Sequence, residues 1–452
     1  MRSSTPWERR ASAVLWPLAV GALLHAVVRS ATGPARDLDI LWRSAHSLVD
    51  GGPLYDAERE FIYPPLAGWL LAPLGLLPFR VAVVVVVLLS AAALVAAVLL
   101  LVRAVGGRPG SPVTAGVLLL AAASRPVTGL LAQGNVDVLL LLAETGVIVL
   151  LLRGRDTAAG ALLGLVCAAK PTLAPVVLAL VLLGRFRAVA VAAVSGAVVT
   201  AAGLLAVPDR SVFVTDVLPL LAGGNREVLA PYDRSLHGAT ELLGLPPLLG
   251  LVLRVAAFAA ACWVARRRRH AALAPLEAVP LLMLGTVLAS SFSWANYGVY
   301  LLPLLVTAGQ PGSLVRAWPA WAGVYLFATA DSWRLEGVTG RPAAVLGLLP
   351  LWGWLLLLGT CVAAAARRPP PASAHEAAPP TSSQRPPFPT TPSEGENRAW
   401  HDHDHDDDDD QHHHRARDHR DAQRLGPHGA DDGAPAPGPE RRGGGRERPR
   451  AA

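Results

Sequence analysis

Runs of Leu, Val and Ala recur along the chain, separated by short polar stretches rich in Arg, Gly and Pro. A helix needs about 20 apolar residues to cross the hydrocarbon of a bilayer. By that measure the pattern predicts spanning or half-spanning helices near 11–30, 64–79, 81–102, 112–131, 135–152, 157–184, 187–207, 245–265, 274–291, 297–308, 317–330 and 343–366. The first run is followed by further apolar runs, and no small-residue cleavage site precedes a soluble domain, so it reads as a retained signal anchor. Several runs are broken by proline, at Arg125-Pro126, Lys170-Pro171 and Pro303. Broken helices persist at membrane depth only where protein buries them or where they line a wet cavity, so a cavity is expected. The expected fold is an all-α polytopic membrane protein, a bundle of about 10 to 13 transmembrane helices with short broken helices. It occupies residues 1–366, with polar outer loops at 31–63 and 208–244.

Composition agrees with a lipid solvent, since 52% of the residues are hydrophobic and 16% are charged. The formal charge of +6 comes from arginine clusters at segment ends and in the tail. Such clusters report topology and a membrane surface as partner, with no nucleic acid implied. Arg9-Arg10, Arg153 with Arg155, Arg185 with Arg187, Arg266 to Arg269 and Arg367-Arg368 mark cytoplasmic ends, which puts the two polar loops outside. Arg103 and Arg108 conflict with this alternation unless a neighbouring segment turns back within the membrane. Cys167, Cys262 and Cys361 lie in apolar segments without CxxC spacing, which supports neither a disulfide framework nor a zinc site. From residue 367 to 452 the chain is rich in Pro, Ser, Arg, Asp, His and Gly, and a disordered cytoplasmic tail is expected. Its His401 to His414 stretch is dense enough in imidazole and carboxylate to bind divalent metal weakly, although a solvated low-complexity tail is the favoured reading.

Four constellations carry chemistry. Asp37 and Asp39, in Arg36-Asp37-Leu38-Asp39-Ile40-Leu41-Trp42-Arg43, alternate with apolar residues that suit a membrane-surface helix. One of them can face a cavity as a general base; an ordinary charged loop is the alternative. Lys170 is the only lysine and lies in an apolar run. A cation at bilayer depth costs about 2.5–3.5 kcal/mol, so it marks a functional site facing the bundle interior, where it can neutralise a phosphate, or else it snorkels to the interface beside the helix break. Gln133, Asn135 and Asp137 open the next apolar helix with groups able to bind several hydroxyls, or simply to cap that helix. The loop residues Asn225-Arg226-Glu227 and Tyr232-Asp233-Arg234-Ser235-Leu236-His237 suit an anionic head group or a sugar, and Trp294, Asn296 and Tyr297 suit a sugar-stacking surface or an interfacial aromatic belt.

In order along the chain, Asp37-Leu38, Asp50-Gly51-Gly52-Pro53-Leu54-Tyr55, Tyr63-Pro64-Pro65, Ala72-Pro73-Leu74, Gln133-Gly134-Asn135, Lys170-Pro171 and the Asp233 to Gly238 stretch resemble glycosyltransferase family 87, the polyprenyl-phosphate-dependent GT-C enzymes of actinobacterial envelopes. The resemblance spans about residues 11 to 366. Two departures from its mannosyltransferases, Asn296-Tyr297 in place of paired histidines and Asp233 in place of Asn, turn the likeness toward its arabinofuranosyltransferases. The resemblance implies transfer of a pentose, arabinofuranose, from a polyprenyl-phosphate-sugar donor lipid to a polysaccharide or lipoglycan acceptor. Inversion would take place on the outer face of the membrane, with mannose as the alternative sugar. It implies Asp37 as general base, with Asp39 as substitute if the register differs. Lys170, Arg234, Arg226 and His237 are the candidates for the donor phosphate, and Tyr63, Gln133, Asn135, Asp233, Trp294, Asn296 and Tyr297 for sugar or acceptor. No cofactor is required, and no metal is assigned. A lipid-linked sugar transporter is the reading from another class; the absence of a fixed-period repeat and the carboxylate-bearing outer loop weigh against it.

Overall fold

The computed structural model describes residues 5–55, 60–219, 232–330 and 340–367; Arg226 with its neighbours, the 368–452 tail and the His401 to His414 stretch lie outside them. Every regular element among the described residues is a helix, and none is a strand. Five helices are long and apolar enough to cross a membrane: α1 (Pro6–Ala31), α4 (Phe79–Ala104), α10 (Phe186–Ala206) and the helices Pro247–Arg267 and Leu349–Arg367. Between them lie α2 (Arg36–Val49), α3 (Pro65–Gly75), α5 (Pro112–Ala123), α6 (Arg125–Gln133), α7 (Asp137–Leu152), α8 (Asp156–Ala169) and α9 (Pro175–Leu182), and later Ala274–Ala289, Ala295–Gly309 and Trp318–Ala328. The polytopic all-α expectation holds. Val14, Leu18, Leu24 and Val28 of α1 and Val194, Val198 and Leu205 of α10 are exposed, which is the apolar surface a bilayer covers.

Three predicted segments are built differently. The 64–79 segment is the 11-residue α3, which ends before Pro78 and packs on α2. At about 1.5 Å per residue it reaches roughly 16 Å, half a bilayer. The 112–131 segment is the α5–α6 pair, bent by 56° where Ser124 turns extended ahead of Arg125-Pro126. The 157–184 segment is a hairpin. Lys170 is extended (φ −149°, ψ 111°), the backbone a residue before proline prefers, and α9 runs back until Arg185 Nη1 meets Asp156 Oδ1 at 3.4 Å. Period and apolarity do not distinguish one long helix from two short ones folded together.

These fold-backs settle the direction of each crossing. Ser12 Oγ and Trp16 Nε1 of α1 both donate to Gly110 O, so the start of α1 lies beside the turn between α4 and α5. Gln310 Nε2 donates to Val105 O, Arg268 Nη2 to Gly312 O and Arg267 Nε to Ala365 O. The α7–α8 turn and the α9–α10 turn meet through Arg185 and Asp156. Every arginine cluster named above within the described residues therefore lies at one end of the bundle, with Arg103 and Arg108 among them, because α5–α6 returns the chain to the opposite end. At that opposite end stand the first turn of α2 and the N-terminus of α7.

Small residues let the crossings approach. Gly160 and Gly164 of α8 lie on α10, where a Cβ at Gly164 would come within 2.5 Å of Ala192 O. Gly323 and Gly353 meet in the same way, with a Cβ at Gly323 reaching 2.6 Å from Gly353 O. Lipid gives two apolar helices little reason to associate, so this backbone proximity supplies the van der Waals contact that holds them.

Candidate active site

The site begins with the backbone of α2. Ala35 is fully buried with φ 45°, a left-handed conformation that costs an Ala about 1–2 kcal/mol. Its methyl lies against Gly134, itself left-handed at φ 66°, where a Cβ would come within 2.7 Å of Leu38 Cβ. The tight contact seats the first turn of α2 on the loop that opens α7. The helix is amphipathic, with Leu38, Leu41, Ala45 and Leu48 buried, and its two aspartates diverge. Asp39 turns outward into an ion pair with Arg43, Nη2 to Oδ2 at 2.7 Å, one helical turn on. Asp37 turns inward and accepts from Asn135 Nδ2 at 2.6 Å. Among the described residues Asp37 has no ion pair. Burial pushes its pKa above the ordinary carboxylate value, and the Asn135 hydrogen bond and the Lys170 charge offset only part of the rise.

Asn135 links this carboxylate to a second one. Its Oδ1 accepts from Asp137 N at 2.9 Å, and Asp137 Oδ1 receives Lys170 Nζ at 2.6 Å. Asp137 is 2% exposed and the Lys170 side chain 13%. The ammonium also lies 5.1 Å from the centre of the Tyr63 ring, a cation–π contact. Lys170 therefore faces the bundle interior and does not snorkel. The hairpin at Lys170-Pro171 is what brings it to the head of α7. Tyr63 in turn is fixed through its carbonyl, which accepts from Tyr55 Oη at 2.9 Å, while Tyr55 N donates to Asp209 Oδ2 at 2.5 Å. The two polar loops are thus joined across the mouth of the site.

Beside this chain of groups, Asn296 Nδ2 donates to Gln133 Oε1 at 2.9 Å, and the partly buried Tyr297 packs against the apolar core. The loop candidates form a second cluster. Asp233 is buried, with Oδ1 accepting from Ser235 N at 2.8 Å and Ser293 N at 2.9 Å, and Oδ2 accepting from Ser235 Oγ at 3.0 Å. Arg234 N donates to Ser293 O at 2.8 Å. Asp233 and Arg234 thereby latch the 232–236 stretch to 290–294. His237 Nε2 lies 3.1 Å from Glu241 Oε1. Trp294 stacks obliquely with the exposed Tyr232, ring centres 5.8 Å apart, and edge-on with Phe292 at 5.0 Å.

The structure therefore joins Asp37, Asn135, Lys170 and Tyr63 in one polar centre with Gln133 and Asn296 at its side, and puts Asp233, Arg234, His237 and Trp294 in an adjoining latch. Asp137 is the residue that reading the chain alone undervalues. The available signal was charge balance: a lone lysine at membrane depth requires a counter-ion. Chemically, the centre offers one carboxylate neutralised by a cation and one that is not. The second can accept a proton from a hydroxyl brought within hydrogen-bond reach. Among the described residues no group of three or more His, Cys, Asp or Glu is arranged to hold a metal ion.

A family model for glycosyltransferase family 87 matches residues 61–291. The chain is similar to the α-(1→3)-arabinofuranosyltransferase of Mycobacterium tuberculosis, 31% identical over 361 residues, which cover 76% of this chain and 82% of that protein. The enzyme of the same name from Mycolicibacterium smegmatis is 28% identical over 367 residues, covering 77% and 84%. A polyprenol-phosphate-mannose-dependent α-(1-2)-phosphatidylinositol pentamannoside mannosyltransferase of M. tuberculosis is 29% identical over 372 residues, covering 74% and 82%. No solved structure matches. A helical bundle with a half-buried carboxylate at its polar end, matched by one family over half its length, has one classification: the chain belongs to glycosyltransferase family 87 and is a membrane glycosyltransferase.

Proposed function

We propose that the protein transfers arabinofuranose from a polyprenyl-phosphate donor to an arabinan hydroxyl of the cell envelope, with inversion, on the outer face of the membrane. The carrying observation is the inward Asp37, held by Asn135 at the end of the bundle opposite the arginine clusters. Under the positive-inside rule the arginine end is cytoplasmic, so Asp37 faces outward. In the reaction Asp37 takes the proton of the acceptor hydroxyl as its oxygen attacks the anomeric carbon. The bond from that carbon to the phosphate oxygen breaks, and polyprenyl phosphate leaves with the electron pair. A single displacement by one base inverts the configuration. Asp39, already paired with Arg43, is the weaker candidate. Lys170 is the cation assigned to the charge that develops on the phosphate; its ammonium is bonded to Asp137, so it acts on the phosphate through space or by sharing that bond. Tyr63, Gln133, Asn135, Asn296, Tyr297, Trp294 and Asp233 are proposed to line or frame the sugar and acceptor positions, with Arg234 and His237 at the phosphate side of the loop.

The arabinosyl reading rests on the two arabinofuranosyltransferase relatives and on Asn296-Tyr297. The mannosyl alternative rests on the mannosyltransferase relative. Purified protein offered arabinosyl and mannosyl polyprenyl phosphates side by side, with linkage analysis of the product, separates the two. Transfer of arabinose in an α-(1→3) linkage is expected. Exclusive use of the mannosyl donor would overturn the arabinan reading and leave the family assignment standing.

A further inference from the structure

Glu144, deep in α7, takes no part in the reaction. It is fully buried, and neither of its carboxyl oxygens has a hydrogen-bond partner among the described residues. It follows Asp137 by two helical turns, so the two share a face of α7, with Glu144 about 10 Å further into the bundle. Against α7 packs the Ala295–Gly309 segment, which begins as a 3₁₀ helix over Ala295–Leu301. Side chains three apart eclipse in that geometry, so Tyr297 and Tyr300 leave on one side, their ring centres 6.3 Å apart. Tyr300 is fully buried in the core that holds Leu141, Val147 and Ile148 of α7. Its Oη has no hydrogen-bond partner either, and it lies within electrostatic reach of both Asp137 and Glu144.

A folded interior leaves few buried polar groups unpaired, and water or an ion accounts for those that are. Here the Glu144 carboxyl and the Tyr300 phenol are both unpaired, as is the hydroxyl of the fully buried Thr145 beside Glu144. Water needs two to four polar partners, and the carboxyl, the phenol and Asp137 supply them. A carboxyl buried without a cation is present as the acid, with one O–H to give. Acid and phenol are then both donors, and the acceptor they have in common is the Asp137 carboxylate, whose Oδ1 holds Lys170. That arrangement bears on Lys170. Its ammonium can turn from Asp137 to a phosphate only if other donors take its place, because a buried carboxylate left without a partner is strongly destabilising.

We propose that Glu144 and Tyr300, joined by buried water, form a donor arm that holds the Asp137 carboxylate while Lys170 turns to the leaving phosphate. The Tyr300 O–H donates to Asp137, and the Glu144 O–H donates through water to Tyr300 Oη. Only hydrogen bonds are exchanged, and no proton changes owner. Both are positioning residues, since they act on the phosphate through Asp137 and Lys170. The proposal rests on the reaction proposed above and adds what that reaction asks of Lys170, a cation free to move as charge develops. Contacts that strengthen only in the transition state raise turnover without tightening the binding of substrate.

The test compares Tyr300→Phe, Glu144→Leu and Glu144→Gln with wild type, each as the full chain in nanodiscs, using whichever of the arabinosyl and mannosyl polyprenyl phosphates wild type accepts. Tyr300→Phe and Glu144→Leu should each lower kcat about ten- to a hundredfold, the effect of losing a hydrogen bond to a charged group, and leave the donor KM in place. Glu144→Gln keeps an N–H donor of nearly the same shape and should restore most of the turnover. The unfolding midpoint separates this arm from a packing role. Leucine takes an unpaired polar group out of the core, so Glu144→Leu should be at least as stable as wild type and yet slower. Infrared spectra give a reading independent of turnover: wild type should show a carboxylic-acid carbonyl band that is lost in Glu144→Gln and shifts in deuterium oxide. Wild-type kcat in folded Tyr300→Phe and Glu144→Leu, a loss of kcat that follows a fallen midpoint, or an acid band that is absent or indifferent to deuterium oxide overturns the proposal. The same kcat losses with a mannosyl donor alone would leave the arm standing and the arabinan reading fallen. Full turnover of arabinose in every variant would fail the arm and keep the reaction.

Discussion

Asp37 and Asp39 differ by two positions and face different surroundings. Asp39 is satisfied by Arg43 within its own helix, an exposed pair of the kind worth about 0.3–0.5 kcal/mol. Asp37 is held by an amide from the loop between α6 and α7. Asp39→Asn should accordingly leave transfer within about threefold of wild type in a steady-state assay, whereas loss of a general base costs about 10²–10⁴-fold. The titration of Asp37 has a definite sign. Burial raises its pKa and the Asn135 bond lowers it. The base works when deprotonated, so the acid limb of the kcat/KM profile should lie above the ordinary carboxylate range, with activity lost as pH falls through it. Asn135→Ala removes the lowering contact, and the limb should move to still higher pH; a limb that stays in place would detach Asn135 from the base. Lys170→Met leaves Asp137 as a buried, uncompensated carboxylate, and removal of one partner of such a pair costs about 3–5 kcal/mol. Its thermal unfolding midpoint should fall sharply, and Lys170→Met with Asp137→Asn should recover most of the loss. Recovery of stability without recovery of turnover would give the pair a catalytic as well as a structural part.

At the level of elements, the chain announced which residues are apolar and where helices break, and the structure adds what a break does. Pro171 stops a helix in either reading; only the packing of α8 on α10 and the Arg185–Asp156 contact turn the break into a hairpin. The same limit applied to the site. Asp37, Asn135 and Lys170 were legible as separate anomalies, an acid beside an apolar helix, an amide at a helix start and a cation in an apolar run. Their union depends on contacts between residues 98 and 33 positions apart, which no local pattern carries. The α8–α10 contact gives an element-scale prediction. Gly164→Leu must push Ala192 O and Gly196 N away, and overpacking costs about 1–3 kcal/mol or more. Because Lys170 directly follows α8, donor turnover and the unfolding midpoint should fall together; an unchanged midpoint would contradict the close packing.

For the whole molecule, the arginine clusters and the carboxylate centre lie at opposite ends of one bundle. The broken α5–α6 and α8–α9 pairs make this possible, and they remove the conflict that Arg103 and Arg108 pose for strict alternation. Single cysteines at Arg153 and at Arg43 should react with a membrane-impermeant maleimide from opposite sides of sealed vesicles, Arg43→Cys from the outside. Labelling of both from the same side would contradict the topology. The central claim is narrower still: a membrane-embedded transferase works through one aspartate at its outer end. Asp37→Asn, purified beside wild type and offered arabinosyl polyprenyl phosphate and an arabinan acceptor, tests it most directly, with donor binding measured on the same samples. The account predicts native donor binding and transfer reduced by about 10²–10⁴-fold. Undiminished transfer by a folded Asp37→Asn protein would contradict it.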